Sequence, residues 1–93
     1  MATRIKQVGS SSAVHTGRCA VKSITLTAGS DAASVAIDDS TDGSGTDLML
    51  LKALTNESVT WTAGDSDGVD FFTAVYATLT GTSPKVTVEY EPA

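Results

Sequence analysis

Hydrophobic and polar residues alternate along much of the chain, which is the pattern of β-strands that bury one face. In the segment RCAVKSITLTAG, Ile24 and Leu26 share one face, whereas Cys19 and Val21 have the opposite parity. Either both faces of this strand are partly covered, or a β-bulge near Lys22–Ser23 switches them. The segment predicts one long strand close to the start of the chain.

Five further segments predict strands because they are rich in β-branched and aromatic residues. In chain order they are ASVAIDD, with Val35 and Ile37 inward, LMLLKAL, SVTWTAG, FFTAVYATLTG, and KVTVEYEP, with Val86, Val88 and Tyr90 inward. LMLLKAL could instead form two helical turns, although its length favours a strand buried on both faces. We expect a hairpin between the first two strands, across the turn GSD.

Turn-forming residues recur about every ten positions, and this spacing predicts an all-β fold. We expect an antiparallel β-sandwich of the jelly-roll type, because helical segments that would indicate an α/β fold are scarce. The 93 residues are enough for one domain, placed at residues 18–93. Residues 1–17 contain VGSSSA and too little apolar surface to pack by themselves, so they predict an extended N-terminal arm that could add one or two strands.

Charge is unevenly distributed along the chain. Residues 1–22 hold four basic side chains and no carboxylate, whereas all eleven acidic residues lie between Asp31 and Glu91, and the net charge is −5. The acidic body is expected to repel nucleic acid. The basic segment is either a chance feature of a soluble acidic protein or a surface that docks on an acidic partner.

Targeting and membrane signals are not expected from the pattern of apolar residues. No run of about 18 apolar residues occurs, so we expect no membrane span. The first residues do not have the apolar segment of a signal peptide. We therefore expect a protein made in, and retained by, the cytoplasm of the producing cell.

The residue types that perform catalysis are scarce, and we predict neither an enzyme nor a cofactor. The single histidine, His15, lies in the predicted arm, which is a poor place for a general base. The single cysteine, Cys19, is expected to be a buried, inert thiol. Asp65, Asp67 and Asp70 match the opening of a calcium loop, but a strand follows where an EF-hand needs a helix, so we expect a turn without metal.

Three segments carry a resemblance to a known group of proteins. They are Gly17–Ser34, which contains ITLTAGSDAAS, Asp38–Leu54, which contains GSGT before a leucine-rich strand, and Leu79–Tyr90, which contains LTGT and VTVEY. Together, over about residues 17–91, they resemble small β-rich structural proteins of tailed-bacteriophage virions. The resemblance implies a non-enzymatic decoration or cement protein that binds the major capsid protein on the outer surface of the head, commonly as a homotrimer.

The N-terminal arm has no counterpart in this resemblance, so its role is inferred from its charge. The predicted partner-binding residues are Arg4, Ile5, Lys6, Val8 and Arg18. The basic side chains would meet shell carboxylates, the apolar ones would fill small pockets, and the backbone could add a strand to a neighbour. Apolar residues of both parities at 48–51 and 71–72 would be buried between copies of the chain.

An alternative hypothesis is a tail or head-spike module that binds a glycan on the host surface. The loops TDGSGTD and GDSDGVD would then carry the ligand site. A third possibility is a cytoplasmic β-domain unrelated to virus particles.

Overall fold

The computed structural model describes residues 3–64 and 68–92, which form nine strands and no helix. The strands are β1 (Arg4–Val8), β2 (Ser12–Thr16), β3 (Cys19–Thr27), β4 (Ala33–Asp38), β5 (Asp47–Ala53), β6 (Ser58–Thr62), β7 (Val69–Phe71), β8 (Ala74–Thr80) and β9 (Lys85–Pro92). All pairings between them are antiparallel. Within these ranges, no helix capable of crossing a membrane is found.

The strands form two sheets that pack face to face, so the predicted all-β sandwich is confirmed. Sheet 1 has the order β1-β9-β3-β6, with β7 also paired to β3, and sheet 2 has the order β2-β8-β4-β5. The predicted hairpin between β3 and β4 is wrong. β3 pairs with β9 on one side and with β6 and β7 on the other, which leaves no free edge for β4, and the chain crosses to sheet 2 instead.

The core lies between the sheets and follows the alternation read from the sequence. Ile24, Leu26, Val86 and Val88 are fully buried from sheet 1, and Val35, Ile37, Val75 and Ala77 are fully buried from sheet 2. The β3–β9 register shifts between Val21 and Ser23, which confirms the predicted bulge. Burial of these aliphatic side chains is the main stabilising contribution to the fold, at roughly 25 cal/mol per Å² of apolar surface.

The extended N-terminal arm is not confirmed, and the prediction is corrected for residues 3–17. β1 pairs with β9 over five residues, β2 pairs with β8, and Val14 is 2% exposed. The expectation that residues 1–17 could add one or two strands is confirmed by β1 and β2, but two features concealed that these strands belong to the domain itself. Arg4 and Lys6 stand opposite Tyr90 and Val88 and so have the parity of core residues, and a bulge in β2 interrupts its alternation.

Candidate functional site

The five predicted partner-binding residues do not form one surface. Arg4, Ile5 and Lys6 are exposed on β1, the edge strand of sheet 1, whereas Val8 is half-buried against the core. Ile5 stands opposite Glu89, on the outer face, and Arg4 and Lys6 have the inward parity. The alternation of β1 therefore separates the apolar side chain from the two cations that were predicted to act with it.

Arg4 and Arg18 do lie towards the same end of sheet 1. The register places Arg4 beside Tyr90, which pairs with Val21, and the chain reaches Arg18 one residue beyond the pair formed by Cys19 and Pro92. The guanidinium carbon of Arg18 lies 5.0 Å from the ring centroid of Phe72, within the range of a cation–π contact. We call Arg18 and Phe72, with the backbone that holds them, the aromatic end.

The backbone at the aromatic end is held in place by Asp39, directly after β4. One carboxylate oxygen of Asp39 accepts the N–H of Phe72 at 2.9 Å, and the other accepts those of Thr73 and Ala74 at 2.7 and 3.0 Å. The N–H of Gly17 donates to the carbonyl of Thr73 at 2.8 Å. These donors, Phe72 first, hold the pKa of Asp39 below its usual range despite some burial.

Phe72 itself is 63% exposed, whereas its neighbour Phe71 is 3% exposed. Phe71 therefore belongs to the core, as does Tyr90, whereas Phe72 does not. The predicted opposite parity of the two phenylalanines is confirmed. An exposed aromatic ring on a fixed backbone, beside an arginine, has the composition of an interface hot spot.

A second exposed apolar surface follows β5, and we call it the leucine edge: Leu48, Leu50 and Leu54. These side chains are 59%, 55% and 68% exposed, respectively, whereas Met49 and Leu51 pack against the core. LMLLKAL thus forms the strand that was predicted, but the expected burial of both its faces is not found, because Leu48 and Leu50 are exposed. β5 is the last strand of sheet 2, and no strand among the described residues pairs with its outer side.

A shallow groove adjoins the leucine edge where β5 ends. It has a volume of about 390 Å³ and is lined by Ala32, Ala33, Ser34, Lys52, Ala53, Leu54, Thr80 and Gly81. The lining is mostly apolar, and Lys52 is its one charged side chain. Leu54 belongs to both the groove and the leucine edge, so the two features form a continuous contact surface.

The single cysteine and the single histidine of the chain both lie against neighbouring groups. Cys19 is 1% exposed, and burial raises the pKa of its thiol, with the carboxylates of Asp39 and Asp70 adding to the effect. The ring of His15 lies 5.1 Å from that of Tyr90. Among the described residues, no group of three His, Cys, Asp or Glu is arranged to hold a metal ion. The calcium-loop candidates Asp65 and Asp67 lie outside these residues.

The outer face of sheet 1 is mostly polar by contrast, with Ile5 as an exposed apolar side chain at its edge. Its hydroxyl side chains bond across the strands, from Thr25 to Thr60 and from Thr27 to Ser58, both at 3.0 Å. Ser23 donates to Glu89 at 3.3 Å. Because these groups already have partners on the protein, the exposed apolar surfaces on β5 and at Phe72 are the stronger candidates for contacts with another molecule.

Comparison with known proteins adds no assignment. No family model matches the chain. No curated protein and no solved structure matches it either.

Proposed function

We propose that this chain is a structural protein of a tailed-bacteriophage virion that decorates and reinforces the outer surface of the head as an oligomer. The observation that carries the proposal is the pair of exposed apolar surfaces, the leucine edge and Phe72, on a small rigid sandwich. A monomer gains nothing from exposing such side chains, whereas a protein that works by adhesion buries them in its assembly. The resemblance over residues 17–91 provides the phage context.

The strand order supports the same proposal. Most strands that follow one another in the chain lie in different sheets. The last two strands return to the start of the chain, because β9 pairs with β1 and β8 pairs with β2 in the orders β1-β9-β3-β6 and β2-β8-β4-β5. We infer from this order a jelly roll, in which two Greek keys are wound together. Jelly rolls are frequent among virus capsid proteins, although fold alone does not assign function.

Contact with the shell is assigned to the side of the molecule that holds Arg4, Lys6 and Arg18. All three cations are exposed, and long-range attraction to an acidic shell protein would orient the encounter. Phe72 would then enter an apolar pocket of the major capsid protein. Because Asp39 fixes the backbone at Phe72, little conformational entropy is lost when the ring is buried.

A binding assay on heads stripped of decoration tests this assignment. The triple variant Arg4→Glu, Lys6→Glu, Arg18→Glu should bind at least tenfold more weakly than the natural chain, because three attractive contacts become repulsive. A variant with Lys85→Glu is the control, since it reverses an exposed basic side chain that lies outside residues 1–22 and outside β5. Equal binding by all three proteins would refute the shell contact. Binding to host glycans, abolished by substitutions in the loop at 41–47, would favour the spike alternative.

A further inference from the structure

We infer that two copies of this chain pair through β5, antiparallel and related by a two-fold axis at Leu50, so that sheet 2 continues from one copy into the other. This inference goes beyond the proposed function and does not depend on the phage assignment. It differs from the homotrimer implied by the sequence resemblance, and the oligomer's mass distinguishes the two.

The edges of the two sheets differ in how well they are protected against pairing. β1 places Arg4 and Lys6 on the core-side parity of its edge, and β2 contains a bulge between Ala13 and His15. Charges that point inward and bulges both hinder the addition of a further strand. β6 presents Ser58, Thr60 and Thr62 as exposed side chains. The apolar side chains of β5 make its edge the one suited to addition.

The backbone of β5 can accept a partner strand from Met49 to Ala53, although β5, like β2, also carries an irregularity. Its register with β4 is regular from Met49 to Ala53, and the irregularity lies near its start, between the pairs Ile37–Met49 and Asp38–Asp47. The N–H and C=O groups on the outer side of this run have no strand partner among the described residues. A second copy of β5 would satisfy them with the ladder hydrogen bonds of an antiparallel pair.

The side chains and charges of β5 are complementary to a second copy of the same strand. A two-fold axis at Leu50 sets Leu50 against Leu50 of the second copy and Leu48 against Lys52 of the second copy. Side chains directly opposite in an antiparallel pair lie about 4.5–5.5 Å apart, so the leucines would be in contact. Asp47 would lie opposite Ala53 of the second copy, one position along the strand from Lys52, and the two lysines would be separated by the apolar centre.

The groove gives this register a further contact. Lys52 and Leu54 line the groove, and the register brings Leu48 of the second copy to Lys52. Leu48 can therefore pack against the aliphatic stem of Lys52 and the apolar wall beyond it, while the ammonium group remains in water. Both copies make the same contact, as a two-fold interface requires.

The mass in solution tests the inference first. Sedimentation of the full chain at about 100 µM should give twice the 9.5 kDa chain mass, as for a Kd in the micromolar range. Leu50→Glu should give the single chain mass, because two carboxylates would then face each other. Ile5→Glu is the matched control, since Ile5 is 70% exposed on the edge of the other sheet, and it should remain a dimer. A monomer or a trimer of the natural chain would overturn the inference.

A cross-linking experiment tests the register. In a Cys19→Ser background, Leu50→Cys should form a disulfide-linked dimer within minutes of mild oxidation, because opposite Cα atoms in an antiparallel pair lie within disulfide range. Ile5→Cys should not, although Ile5 is the more exposed of the two positions. Thermal melting of each variant confirms that it is folded. Equal cross-linking at positions 5 and 50 would indicate random collision and overturn the pairing.

Discussion

The carboxylate of Asp39 accepts the backbone N–H of Phe72 at 2.9 Å, although 33 residues separate the two in the chain. Thr73 and Ala74 donate to the same carboxylate. A single side chain therefore ties the end of β4 to the start of β8 and fixes the orientation of Phe72. Three such bonds to one charged group are stronger than their neutral equivalents.

Asp39→Asn should lower the free energy of unfolding by about 1–2 kcal/mol at neutral pH, because an amide accepts backbone hydrogen bonds less strongly and partial exposure screens the charge. Asp42→Asn is the control, since Asp42 accepts the N–H of Ser44 within its own loop, and its effect should be smaller. Urea denaturation of the three proteins measures the difference. Identical midpoints for Asp39→Asn and the natural chain would contradict the assigned role.

The contribution of Asp39 should also depend on pH. Its pKa is lowered in the folded protein, so the stabilisation is fully present above the unfolded value of about 3.9 and is lost as the pH falls through the lower folded value. The natural chain and Asp39→Asn should therefore converge in stability at acidic pH. Denaturation midpoints measured between neutral pH and about pH 2 follow this convergence. A constant gap across the range would show that the charge is not the cause.

Truncation to alanine should cost much more stability at Phe71 than at Phe72. Phe71 is buried, so Phe71→Ala should cost about 3–5 kcal/mol through lost burial and the cavity that remains. Phe72 is exposed and loses only its contact with Arg18, so Phe72→Ala should cost about 1 kcal/mol or less. Chemical denaturation of the two variants checks the contrast. A larger cost at Phe72 would place its ring in the core.

Removal of residues 2–17 should abolish folding rather than detach a free arm. β1 and β2 pair with β9 and β8, and their loss would expose two strand edges and uncover the core at Val14. Far-UV circular dichroism and thermal melting of the truncated chain measure this directly. A milder variant, Val14→Ala, should fold with a stability loss of about 1–2 kcal/mol. If the truncated chain melted cooperatively at nearly the melting temperature of the natural chain, residues 2–17 would be an arm outside the folded domain, as the sequence predicted.

The turn after β8 requires glycine at residue 81. Its φ is +117°, and an added Cβ would lie 2.8 Å from the carbonyl oxygen of Ala32. Gly81→Ala should therefore cost about 1–3 kcal/mol through strain and collision. Gly64→Ala is the control, because nothing lies within 4 Å of its added Cβ. Thermal melting compares the two, and equal melting temperatures would contradict the close approach.

The alternation of apolar and polar residues predicted those features of the fold that depend only on residues close together in the chain. The inward residues of β3 and β9, the bulge after Val21 and the two-faced strand at 48–51 could all be read from spacing. Strand pairing could not, because a short turn such as GSD can close a hairpin or carry the chain to the opposite sheet. The role of Asp39 was also hidden, since its partners are more than thirty residues away.

Some features of the candidate surfaces could be predicted from the alternation along one strand, and others could not. Opposite parity at Leu50 and Leu51 indicated an apolar side chain left outside the core, and this is confirmed. The partner-binding role of Arg4, Ile5 and Lys6 stays a prediction, and the register adds that Ile5 occupies the opposite face of β1 from the two cations, which a count of charges does not reveal. The opposite parity of Phe71 and Phe72 was predicted, but the bend at residues 72–73, where alternation stops, was not.

Quantitative mass spectrometry of virions purified from infected cells tests the central claim most directly. If the chain decorates the head, it is present in a copy number comparable to that of the major capsid protein. Its absence from purified particles, or its presence in only a handful of copies per particle, would contradict the account.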